Sequence, residues 1–177
     1  MATWTTPPIH ATGDFLSITD WNAIANNETF LNQAPYGQYW NTTGTAASVS
    51  GGTARVQLGG FRGNYGFVAP SNSVITIPLA GVYTVSFSVS VSTSHDGGSD
   101  LTNRFNAQLN QNGNLVIESP PTPTYVANDP VSASSGVIVC NANDQITLVW
   151  TNNGPSTLST NPSYASTYVH LAYVGQS

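Results

Sequence analysis

The residues of this chain best suited to chemistry sit in one short stretch, His95-Asp96-Gly97-Gly98-Ser99-Asp100. Two carboxylates, Asp96 and Asp100, with the His95 imidazole on a glycine-rich loop could hold Ca²⁺ through oxygen atoms. The spacing matches no known calcium loop, and a solvated loop tip accounts for the same residues. No cofactor is expected. The other histidines, His10 and His170, stand far apart in the sequence. A histidine in a strand like the one around His170 is more often a satisfied interior side chain. The single Cys140 cannot form an internal bridge, and at the end of Val137-Ile138-Val139-Cys140 it reads as a small buried residue rather than a reactive thiol.

Little else points to catalysis. A glycosidase needs two placed carboxylates, whereas the 8 acids here lie mainly in turns or in a helix. The sequence has no Gly-x-Ser-x-Gly elbow, no phosphate loop and no His-Glu-x-x-His. A serine-rich chain holds the ingredients of a Ser/His/Asp triad, but nothing singles one out, so the protein is expected not to be an enzyme. The competing chemistry is carbohydrate binding. Tyr36, Tyr39, Trp40, Phe61, Tyr65, Phe67 and Tyr125 lie in loop-rich stretches, and aromatic faces beside Asn amides suit a sugar. Tyr65, Phe67 and Tyr125 are the candidate glycan contacts. The alternative, preferred here, is that these rings pack the ends of the domain and a seam between subunits.

Composition narrows the partners. Charged residues make up 6% of the chain, against about 25% in ordinary soluble domains. There is no lysine, and the cations are Arg55, Arg62 and Arg104. A net charge of −5 without a basic cluster gives no footprint for nucleic acid or for an anionic membrane. The polar surface must be Asn, Gln, Ser and Thr, which lose less on desolvation than charges do. Such a surface suits a protein largely covered by neighbours, or a particle exposed to varied salt. No stretch of eighteen apolar residues spans a membrane, and Met1–His10 lacks the basic start and apolar core of a signal peptide. Synthesis in the cytoplasm is expected.

The elements that must position these residues are mostly strands. From Leu79 to Thr93, Tyr83, Val85, Phe87, Val89 and Val91 alternate with Thr84, Ser86, Ser88, Ser90 and Ser92. That period of two predicts a strand with one face on a core and the other carrying hydroxyls. Before it, residues 1–14 read as an extended arm, because Pro7 and Pro8 forbid a helix there, with Trp4 and Ile9 as apolar anchors. One short helix follows, capped by Ser17 or Thr19, with Asp20 in its first turn. Trp21, Ile24, Ala25, Glu28 and Leu31 make a mostly apolar stripe that must dock on something. Gln38–Asn41, Ala54–Leu58 and Val74–Ile77 are short strand candidates among punctuating glycines. Phe105, Ala107 and Leu109 alternate up to an Asn112-Gly113 hairpin, from which Leu115–Ile117 pairs back. Residues 119–129 are a proline-rich crossing. Val131–Cys140 and a strand containing Ile146, Leu148 and Trp150 follow. After a long turn over residues 152–162, Tyr164–Val174 closes the chain with apolar groups on both faces, which predicts burial on both sides, within the domain or at a subunit interface.

Three of these pieces together resemble the C1q/TNF-like jelly roll. Ala80-Gly81-Val82-Tyr83 is similar to that family's G-x-Y strand, and Asn143-Asp144-Gln145-Ile146-Thr147-Leu148 to its GD-x-V-x-L strand, with Asn143 in place of the usual glycine. Tyr164–Gly175 resembles the final aromatic-rich strand, which in the family lies near a threefold axis. The resemblance covers roughly residues 38–177. It implies an antiparallel sandwich that assembles as a compact trimer, with Tyr164, Tyr168, His170 and Tyr173 at the interface.

The N-terminal piece resembles a leader found on structural proteins of tailed bacteriophages. The matching residues are Trp4-Thr5-Thr6-Pro7, Gly13, Ile18-Thr19-Asp20-Trp21-Asn22 and Phe30-Leu31, with Asn and Ala where the leader's helix usually carries arginines and acids. The two resemblances imply residues 1–35 as an attachment segment and residues 36–177 as a mostly β jelly-roll domain. Trp4, Pro7, Pro8, Ile9, Trp21, Ile24 and Leu31 would make the attachment. The implied function is a homotrimeric capsid decoration protein, a minor capsid or cement protein on the virion surface, bound to the major capsid protein or other virion proteins. The alternative is a tail or fibre module that recognises a host glycan. The absence of a shaft between helix and first strand favours decoration.

Overall fold

The computed structural model describes residues 17–32, 34–43, 46–47, 52–92, 104–124, 130–154, 158–161 and 166–176. Helix α1 (Ile18–Asn32) leads into β1 (Tyr36–Asn41), β2 (Ala46–Ala47), β3 (Thr53–Arg55), β4 (Leu58–Gly63) and β5 (Ile75–Thr76). Then come β6 (Gly81–Ser92), β7 (Arg104–Gln111), β8 (Asn114–Glu118) and β9 (Thr122–Pro123), followed by β10 (Val131–Cys140), β11 (Gln145–Asn152), β12 (Leu158–Thr160) and β13 (Tyr168–Gly175). A 7-stranded sheet runs β2-β12-β6-β13-β1-β4 with β10 on the free edge of β6, and a 6-stranded sheet runs β3-β11-β7-β8 with β5 on β11 and β9 on β7. The pairings are antiparallel throughout. The fold is an antiparallel jelly-roll sandwich, with its core between the two sheets.

β6 is the central strand that its alternation predicts. Tyr83, Val85, Phe87, Val89 and Val91 are buried in the core. Facing them from the second sheet are Phe105, Ala107, Leu109, Ile146, Leu148 and Trp150, all fully buried. Each such apolar side chain contributes about 1.5–3 kcal/mol on leaving water. The hydroxyl face of β6 is less open than alternation suggests, since Ser88 and Ser90 are buried too. Ser88 Oγ donates to the Ser166 carbonyl at 2.8 Å, and the Ser90 N–H donates to Thr167 Oγ1 at 3.0 Å. The chain entering β13 covers these serines and satisfies them.

Two turns hold one end of the sandwich. Asn112 and Gly113 have φ of 52° and 82°, the left-handed pair that a tight hairpin needs. Asn143 has φ 72°, so the asparagine takes the left-handed conformation that glycine serves in the resembled motif. The Asp144 carboxylate accepts from the Asn141 N–H at 2.8 Å, Gln111 Nε2 at 2.7 Å and Asn112 Nδ2 at 2.8 Å, tying the two turns together. These donors, Asn112 first, hold its pKa below the ordinary carboxylate range.

Several sequence expectations are corrected. The predicted strand Ala54–Leu58 is broken into β3 and β4, and three of the glycines taken as punctuation, Gly59, Gly60 and Gly63, lie inside β4. They are there to receive neighbours from β1 and just past it. A Cβ on Gly60 would collide with the Trp40 indole, and one on Gly59 with the Thr42 side chain. Val74–Ile77 shrinks to β5, and the long turn after Asn152 contains β12. Within the single chain the closing strand buries one face, with Val169, Leu171 and Tyr173 in the core, and leaves Val174 62% exposed on the face that the expected subunit interface would cover.

Ser17, not Thr19, caps the helix. Its Oγ accepts from the Asp20 N–H at 3.2 Å, while its own N–H and hydroxyl donate to Asp20 Oδ2 at 2.6 and 2.7 Å. This is a capping box with Asp in the acidic role. The helix buries Asp20, Ala23 and Asn27. The stripe predicted to dock therefore faces outward at Trp21, 57% exposed, and Ile24, 42% exposed.

Candidate functional site

The outward face of the larger sheet is the surface that the fold leaves for function. Side chains alternate along a strand, and the core takes Tyr39, Tyr83, Val85, Phe87, Ile138, Cys140, Val169, Leu171 and Tyr173. Their neighbours in sequence point the other way. Register aligns them in rows across the strands. Gln38 of β1 lies opposite His170 of β13, which lies opposite Ser86 of β6, which in turn faces Ser135 of β10. One step along, Trp40, Tyr168, Ser88 and Ala133 form the next row, and on the other side Tyr36, Ala172, Thr84 and Val137 form a third.

The face is concave because small side chains occupy its middle and large ones its rim. Gln38, Thr84, Ser86, Ser135, Val137 and His170 line a depression of about 640 Å³. Val137 and Val139 are 63% and 59% exposed along the β10 edge. The Tyr168 and His170 rings stack, with centroids 4.4 Å apart and planes at 27°. Arg62, paired with Gln38 at the β4 edge, is the sole charged residue on this face among the described residues. Burial lowers the pKa of His170, so the imidazole is neutral at pH 7. Ser86 lies across from it, but no carboxylate on this face among the described residues could orient the pair. The face is thus a concavity without carboxylates among the described residues, rimmed by Tyr36, Trp40, Tyr168 and Val137.

The predicted interface residues divide. Tyr168 and His170 lie on this face. Tyr173 does not: it is 9% exposed and turned into the core, its ring edge-on to Tyr83 at 5.4 Å. Tyr164 lies outside the described residues. The predicted face also omitted Tyr36, Trp40, Val82, Val137 and Val139. The apolar run from Val137 to Cys140 was a signal for the β10 part, since it supplies greasy groups to both sides of one strand.

Of the candidate sugar contacts, Phe67 is closed off. Phe67 is 5% exposed and packs edge-on between Tyr39 at 6.3 Å and Tyr83 at 6.1 Å, so no sugar reaches its face. Phe61 joins the same stack against Tyr39 at 5.1 Å. Core tyrosines there keep their hydroxyls satisfied, Tyr83 donating to the Leu79 carbonyl at 2.7 Å and Tyr39 to the Val68 carbonyl at 3.3 Å. Tyr65 sits half-exposed in a turn with φ 46°, and Tyr125 lies outside the described residues. So do His95, Asp96 and Asp100, and Trp4, Pro7, Pro8 and Ile9. Leu31 belongs to α1, but its side chain is likewise outside the description. Cys140 is buried, and burial together with the Asp144 charge pushes its thiol up to about 11.

No protein-family model matches this sequence, and no curated protein does. Solved structures do resemble the fold. Murine APRIL superposes with a TM-score of 0.58 at 14% identity, over 80% of this chain and 100% of that one. Eiger TNF from S. frugiperda superposes with a TM-score of 0.57 at 12% identity, over 82% of this chain and 95% of that one. With the two-sheet order above, these likenesses establish that the chain folds as a C1q/TNF-like jelly roll.

Proposed function

We propose that this protein is a non-enzymatic structural component that assembles as a homotrimer through the outward face of its larger sheet. The observation that carries the reading is that face itself. It sets Tyr36, Trp40, Tyr168, Val137 and Val139 around a hollow, with Arg62 at its edge as the one charge on this face among the described residues. A face of this composition gains by burial and loses little desolvating its hydroxyls. Closed symmetry is the usual way for identical chains to cover such a surface. Light scattering in native buffer should give about three times the chain mass; a monomer at micromolar concentration would sink the proposal.

The trimer's place is a virion, on the capsid surface of a tailed bacteriophage, as a decoration or minor capsid protein made in the host cytoplasm. Support comes from the leader-like residues of the first 31 positions, and from the outward-facing Trp21 and Ile24, which give α1 apolar groups to offer the major capsid protein or another virion protein. Deleting residues 1–31 should leave a folded trimer that no longer decorates particles. Hundreds of copies per head support decoration. A handful at the tail tip, with binding to host cell-wall sugar, gives the case to a receptor-binding module.

A further inference from the structure

We infer that acid breaks the assembly made through this face, with His170 as the group that titrates. The inference rests on the self-association proposed above and adds its regulation.

His170 stands mid-face, opposite Gln38 on one side and Ser86 on the other. The titratable and charged groups sharing its side of the sheet are Tyr168 on its own strand, Tyr36 on β1 and Arg62 on β4. β6 offers Val82, Thr84, Ser86 and Ser88 there, and β10 offers Ala133, Ser135, Val137 and Val139, none of which ionises. Tyr39, Tyr83, Tyr173 and Cys140 point into the core. No Asp or Glu lies on this face among the described residues, so the chain's own face offers an imidazolium no anion there, and Arg62 adds a like charge. Within the single chain, burial already disfavours the protonated form.

Covering the face removes the remaining water and disfavours that form further. Assembled chains therefore bind fewer protons at His170 than separated ones, and linkage makes association weaken as pH falls. The sign follows from a depressed pKa on a base: the contribution is full where the imidazole is neutral in both states. It is lost as pH drops through the pKa of the separated chain, which burial sets below the ordinary ~6.5. Below that point each histidine lowers the association constant about tenfold per pH unit, so three lower it about 1000-fold.

The test is sedimentation velocity on the full chain from about pH 8 to about pH 5 at fixed ionic strength, with circular dichroism to confirm the fold. His170→Gln is run beside the wild type. Dissociation of the wild type in acid, with His170→Gln still assembled, supports the inference. A wild type that stays assembled at every pH overturns it, as does a wild type and His170→Gln that dissociate together. A wild type already monomeric at about pH 8 overturns the self-association reading itself, which keeps the two failures apart.

Discussion

Placing a carboxylate at Ala172 should abolish the proposed self-association and leave the fold intact. Ala172 is exposed in the single chain and sits between Tyr36 of β1 and Thr84 of β6 on the outward face. Its side chain points away from Leu171 and Tyr173, which fill the core. Ala172→Glu therefore changes no core contact, and an exposed strand substitution of this kind shifts stability by about 0.5 kcal/mol at most. In the assembly the same carboxylate is desolvated without a partner. Removing one member of a buried ion pair costs about 3–5 kcal/mol, and a lone buried carboxylate is the same situation. At about 3 kcal/mol per site, three copies weaken trimerisation by ~9 kcal/mol, a factor of more than 10⁶. Light scattering at micromolar concentration should show a monomer, and urea unfolding of that monomer should show a single cooperative transition. Ala172→Ser, neutral and small, should remain assembled. A trimeric Ala172→Glu protein would refute the assignment of this face, and an unfolded one would refute the claim that Ala172 makes no core contact.

Gly81→Ala should destabilise the domain by about 2–5 kcal/mol in denaturant unfolding, combining strain at a glycine-only φ with overpacking. Gly81 has φ +152°, and a Cβ there would strike the Tyr173 ring and lie 2.5 Å from the Gly175 carbonyl oxygen. Cys140, buried and with its thiol pushed up to about 11, should resist a thiol reagent at about pH 8 until the protein is unfolded; stoichiometric labelling of native protein would contradict its placement. Asp144→Asn should remove acid sensitivity. The lowered carboxylate pKa stabilises the fold fully above the unfolded value of about 3.9, and that contribution is lost as pH falls through the folded value. Denaturation midpoints between about pH 5 and about pH 2.5 should fall less steeply in the variant than in the wild type.

What the sequence reveals here depends on whether one strand's own pattern decides the outcome. β6 and the hairpin at Asn112-Gly113 were legible, because alternation and a left-handed turn pair are local properties. The resemblance at Gly81 was legible for a reason the structure supplies: the Tyr173 ring and the Gly175 carbonyl leave no room for a side chain. β4 was not legible. Gly60 and Gly59 make room for the Trp40 indole of β1 and for the side chain of Thr42 just past it, and no window of local sequence contains that pairing. The helix stripe was legible as apolar, but not that Trp21 and Ile24 face away from the domain, since periodicity says which residues share a side and not which side is covered. Tyr173 went to the wrong face because β13 is apolar on both sides. Only its register with β6 tells core from surface.

That ambiguity in β13 leads back to the charge-poor composition. An ordinary strand on a solvated sheet marks its outer face with charges, which keep it soluble and off its neighbours. Here the described acids are Asp20 and Glu28 on α1, Glu118 at the end of β8 and Asp144 in a turn, and none sits on the outward face of the larger sheet. Arg55 donates to the Asn72 carbonyl at 3.4 Å in the other half of the sandwich, and Arg104 starts β7. Apart from Arg62 at its edge, the charges among the described residues thus lie away from the hollow, and hydroxyls and amides line it instead. Neutral polar groups can trade water for a neighbour's hydrogen bonds at small cost, whereas a charge in the same place would oppose contact. A face on which the strand pattern is hard to read is what a surface looks like when a second copy serves as its other side. If trimers then tile a capsid through their N-terminal segments, each contact can be weak and the array still hold, because linked binding events reinforce one another.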